Sequence, residues 1–410
     1  MHVTTKSSSP HSASIFFTEK SCTVGGEVRW YLRLRSVLLF ALVAVAFIAS
    51  GCDNSKGTVP PLQTEQVIRI GAMAPMTGEG ADYGKWARRG VDLALETVNL
   101  QGQPPRFQVV WEDTQLNPNT AVSAFLKLVD VDHVPIVLGA LTSGETIACL
   151  TNANTKRIVL LSPTATSDKL VAGGDYFFRV CPTNLIQAGS AAQFAVDQLK
   201  VKTAFVLFED IAYGTDLATA FSKRFKVLGG SIAGKESFRE GETDYRSLIQ
   251  KVKQVNPDVV YAPSNYTEAA TLLRQMSQLE VTIPVLGGDG SYGQKLVELA
   301  GSSAEGTYWT TIAWGVGGAK ATAEAFQNRY RQAYGEAPHQ FAGLYYDAAR
   351  IAFGVVTRPG MTGTEVRRAL LEMAPFDGAT GTTKFTAKGQ VDKFFAVYQV
   401  KNKTFVQIAP

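Results

Sequence analysis

The chain has 410 residues, 45% of them hydrophobic and 19% charged, a composition that excludes a disordered protein and a length that leaves room for two domains. Its formal charge is +4, but residues 1–51 carry five basic residues against two acidic ones, so the remainder is close to neutral. No basic stripe is present, which argues against nucleic acid as a partner.

In chain order, the first feature is a leader. Arg29, Arg33 and Arg35 precede "SVLLFALVAVAFIAS" (36–50), an apolar run without a charge. It is too short for a comfortable membrane-spanning helix and suits the core of a secretory signal. The run ends in "ASGC", which resembles the lipobox of bacterial lipoproteins and points to Cys52 as the lipidated residue, with Ala49 where leucine is usual. A plain secretory signal or an uncleaved anchor is the alternative. Residues 52–66 read as a polar tether, since they lack periodicity and contain the adjacent Pro60 and Pro61. Asp53, directly after the cysteine, suggests retention on the outer face of the inner membrane.

Beyond the tether, apolar runs alternate with amphipathic ones. Strands are predicted at 67–75, 107–113, 135–141, 157–163, 203–210, 258–264 and 284–290, and helices at 86–100, 121–130, 191–200, 217–229 and 268–279. Val-, Ile- and Leu-rich strands separated by helices predict parallel sheets covered on both faces. Strand after strand ends in Gly, Pro, Ser, Thr or Asp, where ligands bind in open α/β sheets. The pattern occurs before and after about residue 184, so two such sheets could face one another across a cleft. After about residue 315 three helices are predicted in succession (320–335, 343–356, 364–374), followed by closing strands at 381–389 and 394–408.

Catalytic constellations are absent from the sequence. His133 and His339 lie far apart, no C-x-x-C follows Cys52, and neither a G-x-S-x-G elbow nor a Walker loop occurs. "GEGADYG" (78–84) imitates a dinucleotide fingerprint but is one residue too long. The chain is therefore expected to be no enzyme and to hold no metal or cofactor. Cys149 and Cys181 are the cysteines left after Cys52; an oxidising compartment permits a disulfide between them, and two buried free thiols are the alternative.

The hydroxyl-rich turns remain. In "TSGET", Thr142, Ser143 and Thr146 surround a predicted helix N-terminus near Gly144, a natural anion site. Ser143 could instead simply cap its own helix. "SPTATS" (162–167) repeats the equipment at the end of the next strand. Two such turns without a basic side chain suit a carboxylate better than a phosphate. On the other half, Asp289 in "LGGDGSYG" could pair with an ammonium group, or cap a helix starting near Tyr292. Tyr83 and Tyr213 could add apolar walls. A zwitterion crossing a cleft would need one half of each kind.

These residues, with "IGAMAPMTGEGADYG", "LLSPTATSDKL", "YFFRVCPTN", "EDIAYGTDL", "DVVYAPSNYTEAATLLRQ" and "TGTTKFTAKGQ", resemble the leucine/isoleucine/valine-binding family of periplasmic solute-binding proteins of ABC transporters, from about Val67 to Ile408. The resemblance implies a type I periplasmic binding protein fold: α/β, with two Rossmann-like lobes of parallel strands flanked by helices and joined by three hinge crossovers. The lobes would comprise 67–183 with 315–392, and 184–314 with 393–410. It assigns the ligand carboxylate to Ser143, carboxylate and ammonium contacts to Thr164 (backbone carbonyl) and Thr166 (hydroxyl and N–H), the ammonium to Asp289, and the side-chain enclosure to Tyr83, Tyr213 and Phe341. Two positions depart from the family: Asp289 stands where glutamate is common, and Asn265 where an aromatic residue is. The resemblance implies an extracytoplasmic lipoprotein that binds an amino acid and works with membrane permease subunits. A sensory module for amides, urea or other small carboxylates on the same scaffold is the rival reading.

Overall fold

The structure, a computed structural model, describes residues 67–100 and 106–409. The leader, Cys52 and the tether lie outside the described residues. Among the described residues no helix is long and apolar enough to cross a membrane.

The first lobe begins with β1 (Val67–Ala74), α1 (Ala81–Asn99), β2 (Arg106–Asp113), α2 (Pro118–Asp130), β3 (Ile136–Leu138), α3 (Ser143–Lys156), β4 (Val159–Ser162) and β5 (Phe177–Arg179). All five strands are parallel, in the order β2-β1-β3-β4-β5. β3 and β4 are buried along their whole length, which is why their sequences are unbroken apolar runs. Successive residues of β3 feed different apolar clusters, Ile136 and Leu138 one and Val137 the other, so the sheet is covered on both faces.

The second lobe repeats this plan with α4 (Asn184–Asp197), β6 (Thr203–Glu209), α5 (Ala212–Val227), β7 (Ser231–Phe238), α6 (Arg246–Val255), β8 (Val259–Tyr261), α7 (Tyr266–Gln278), β9 (Val285–Gly287), α8 (Gln294–Ala300) and β10 (Tyr308–Ile312). Its parallel strands run β7-β6-β8-β9-β10, the strand order of the first lobe. The chain then returns to the first lobe for α9 (Lys320–Tyr334), α10 (Gln340–Val355) and α11 (Gly363–Glu372), and for the short hairpin β11 (Phe376–Gly378) and β12 (Gly381–Thr383). α10 packs on α1 and β3, and nearly all of its residues are buried. A third passage leads to β13 (Phe395–Lys401) and β14 (Thr404–Ala409), which extend the second sheet from β10.

Three differences from the expected elements have physical causes. Residues 394–408, expected as strand, form an antiparallel hairpin, turned by Asn402 and Lys403 at φ 52° and 61°, so the second sheet is parallel except at this edge. Residues 381–389 yield only the three-residue β12, and the chain turns at Gly389 with φ 67°. β7, an edge strand, escapes the periodicity reading because none of its residues before Phe238 is fully buried and its apolar content is low.

The possible disulfide is not formed. Cys149 and Cys181 are both buried free thiols, packed in different apolar clusters. Burial pushes both up to about 12, so they behave as small core residues.

Candidate functional site

The loops at the carboxyl edges of both sheets converge on one cavity between the lobes. With the lobes in this position its open volume is only about 40 Å³, well below the range for small-molecule sites. From the first lobe come Tyr83 of α1, Leu141, Thr142 and Ser143 after β3, Thr164 after β4, and Phe341 of α10. The second lobe supplies Ile211 and Tyr213 after β6, Asn265 after β8, and Asp289 and Gly290 after β9.

The turn after β3 is organised by a capping box. Thr142, not Ser143, is the N-cap of α3: its hydroxyl accepts from the Glu145 N–H, and Glu145 accepts from the Thr142 N–H at 2.9 Å. The helix starts at Ser143, one residue before the expected position, which frees the Ser143 hydroxyl from capping. That oxygen accepts from the Ser167 N–H at 3.2 Å, tying the two hydroxyl-rich turns together while leaving the hydroxyl proton available. Arg179, fully buried, braces the second turn through the carbonyls of Ala165 (3.2 Å) and Ser167 (2.9 Å).

Thr164 lies on the cavity wall; its hydroxyl donates to Leu141 O at 2.5 Å, so toward a ligand the residue can act as an acceptor, through the hydroxyl oxygen or the backbone carbonyl. Thr166 is the one expected site residue outside the wall. It is buried, and its carbonyl accepts from Asn184 N at 2.7 Å, which holds that part of the turn toward the crossover into α4.

Asp289 is buried and caps no helix, since α8 starts at Gln294 behind Gly293. Its Oδ1 accepts from the Tyr213 hydroxyl (2.8 Å) and Gln187 Nε2 (2.9 Å). Both partners are neutral, and no basic side chain among the described residues forms an ion pair with it. Burial pushes the Asp289 carboxyl up to about 6, partly offset by these two bonds. The site thus has a helix N-terminus with the Ser143 hydroxyl on one side and a carboxylate without an ion-pair partner on the other.

Tyr83 spans the gap: its hydroxyl donates to Gly290 O of the opposite lobe at 2.6 Å and accepts from Tyr266 N at 3.3 Å. Its ring packs 4.6 Å from that of Tyr266 and 5.5 Å from that of Phe341. Tyr266 in turn donates to Glu79 O (2.7 Å), Ser167 bonds Asp216, and Gln340 donates to Asp289 O (3.0 Å). The lobes are therefore closed on one another. Sequence reasoning does not reach Ile211, Leu141 or Gly290, which signal nothing locally and line the cavity only because their loops meet.

A wider groove of about 350 Å³ also lies between the lobes, beside Trp86, Tyr292 and His339. Its charges neutralise one another, Lys295 reaching Asp82 across the gap at 3.0 Å. This pair is partly exposed, so Lys295→Ala should weaken ligand binding by no more than ~1 kcal/mol, with the loss shrinking at high salt in calorimetry.

A closed two-lobed α/β scaffold that presents neutral dipoles from one lobe and a buried carboxylate from the other is that of a solute receptor. Residues 67–404 match the model of the family described as periplasmic binding protein. The chain is 28% identical over 331 residues to "Leu/Ile/Val-binding protein homolog 3" of Brucella melitensis, covering 79% of this chain and 88% of that one. It is 27% identical over 367 residues to the leucine-, isoleucine-, valine-, threonine- and alanine-binding protein of Pseudomonas aeruginosa, covering 88% and 94%. Among solved structures, the branched-chain amino acid transporter substrate-binding protein LivJ of Streptococcus pneumoniae, in complex with isoleucine, superposes with a TM-score of 0.78 at 28% identity, covering 84% of this chain and 100% of that one. The chain belongs to the branched-chain amino acid group of type I periplasmic binding proteins, an extracytoplasmic family of ABC-transporter solute-binding proteins and not of enzymes.

Proposed function

We propose that this protein is the lipid-anchored receptor of an ABC importer, capturing an aliphatic or similarly sized amino acid between its lobes and presenting it to the permease. Ser143 and the N–H groups of the first turn of α3 take the α-carboxylate. Asp289 and the Thr164 carbonyl take the ammonium, and Tyr83, Tyr213 and Phe341 wall the side chain. Closure removes water from these contacts, which strengthens them, and makes the closed form the one a permease can recognise. Cys52 anchors the chain to the membrane through lipid, with the tether as spacer.

The observation that carries this reading is Asp289, a buried carboxylate with neutral partners that shares a cavity with the Ser143 turn. A buried charge of this kind is costly unless a cation meets it, and a zwitterion supplies one. A thermal-shift screen of the twenty amino acids, simple amides and aromatic acids tests it, because binding raises apparent stability by mass action. Stabilisation by L-amino acids and not by their α-amides or by carboxylic acids lacking the amine is expected. Ser143→Ala should cost about 1.5–3 kcal/mol of affinity, as for a hydrogen bond to a charged group. Unchanged affinity in calorimetry would remove Ser143 from the site. Release of the protein from membranes by Cys52→Ser, seen on fractionation, tests the anchor.

A further inference from the structure

His339 is buried at the start of α10, and none of the roles given above uses it. Its two ring nitrogens serve different partners. Nδ1 accepts from the Phe341 N–H at 3.1 Å, which makes His339 the N-cap of α10. That bond fixes the tautomer: the proton sits on Nε2, which donates to Tyr292 O of the second lobe at 2.5 Å. Burial pushes the imidazole down to about 3, so Nδ1 carries no proton at neutral pH and the cap persists. The ring lies flat on Trp86 of α1, with centroids 3.9 Å apart and planes 9° from parallel. The first lobe thus holds the imidazole on two sides and reaches out with one N–H. Its approach to the second lobe needs a glycine: a Cβ on Gly293, at φ 135°, would lie 2.7 Å from His339 Cδ2 and 2.9 Å from Nε2.

Both ends of this bridge lead to the cavity. Phe341, whose N–H is capped, forms part of its wall. Tyr292 closes the turn that starts at Asp289, its N–H donating to Asp289 O at 3.3 Å, and Gln340 donates to the same carbonyl at 3.0 Å. Three successive residues of the first lobe, 339–341, therefore hold the Asp289 turn and line the cavity. We propose that His339 is a positioning residue for ligand retention: its Nε2–H bolts the Asp289 turn to α10 in the closed protein, and the lobes must break this bond before a solute leaves. This rests on the amino-acid reading above. His339 is not on the cavity wall, so the bond acts on release and not on encounter, where most affinity differences among variants of one site arise.

Two substitutions separate the bolt from the cap. Asparagine puts its amide oxygen near the place of Nδ1 and caps helices well, but is too short to reach Tyr292 O. Glutamine puts its amide N–H near that of Nε2 and keeps the donor while capping poorly. Both lose the stack on Trp86, which cancels in the comparison. With L-leucine as probe, stopped-flow kinetics should find release about tenfold faster in His339→Asn and within about twofold of the unaltered protein in His339→Gln, with association changed by less than about twofold in both. Faster release from His339→Gln than from His339→Asn makes the residue a cap alone, and equal rates in all three proteins leave it no part in retention. Either result overturns the assignment while the amino-acid reading stands. If L-leucine does not bind, the L-amino acid that stabilises the protein most replaces it; if none binds, both fall. Should His339→Asn fail to fold, the Nε2 proton of the unaltered protein decides by nuclear magnetic resonance. It should be protected from exchange with water in the L-leucine complex and lose that protection without leucine, and equal exchange in both states overturns the assignment.

Discussion

Asp289→Ala is expected to weaken binding of a zwitterionic amino acid by about 1.5–3 kcal/mol, roughly tenfold to a hundredfold in Kd. The carboxylate is buried, and its hydrogen-bond partners Gln187 and Tyr213 cannot replace the charge that an ammonium needs. The same group sets a pH dependence. Because burial holds its folded pKa up at about 6, above the ordinary 3.8, ionisation costs the ligand-free fold. That part of its stability is fully present below pH 3.8 and is lost as pH rises through about 6. A bound ammonium favours the ionised form, so the sign reverses for affinity: it should be level above about pH 6 and fall roughly tenfold per unit below it. Titration calorimetry between pH 8 and 4.5 checks both. An affinity flat across that range, with Asp289→Ala binding normally, would place the ammonium elsewhere.

The second large effect is expected at a glycine. Gly84 sits in α1 beside Tyr83, and a Cβ built on it would lie 2.0 Å from Pro75 O and 2.7 Å from Pro75 C. Backbone atoms cannot yield as a flexible side chain does, so α1 must move away from the turn after β1. Gly84→Ala should therefore lower stability by ~1–3 kcal/mol through overpacking and shift the Tyr83 hydroxyl away from Gly290 O, weakening ligand binding as well. Gly189, in α4, is the control: nothing lies within 4 Å of its added Cβ, and alanine there should stabilise by ~0.5–1 kcal/mol. Thermal melts of the two variants moving in the same direction would contradict the packing argument.

Gly84 also explains the motif that imitates a dinucleotide fingerprint. The glycine stands where a helix packs tightly on the preceding turn, a requirement shared by many βα units and unconnected with phosphate. The motif was legible as local structure. The turn after β3 behaved differently. A hydroxyl-rich helix start could be read from "TSGET", but whether Thr142 or Ser143 served as the cap depended on the capping box with Glu145.

Periodicity alone determined the layered α/β plan, because each strand and helix writes its own burial pattern into a few neighbouring residues. Polar strand ends likewise marked the edge where a ligand would sit. Tertiary structure decided which of those polar atoms stayed free. Ser143 Oγ is engaged by an N–H 24 residues away, the Thr166 carbonyl by the Asn184 N–H, and Asn265 by a carboxylate 56 residues distant. Tyr83 meets its acceptor 207 residues along the chain, on the other lobe. Hydrogen bonds between distant segments leave no trace in local spacing, since they form only once two independently patterned sheets have packed and closed.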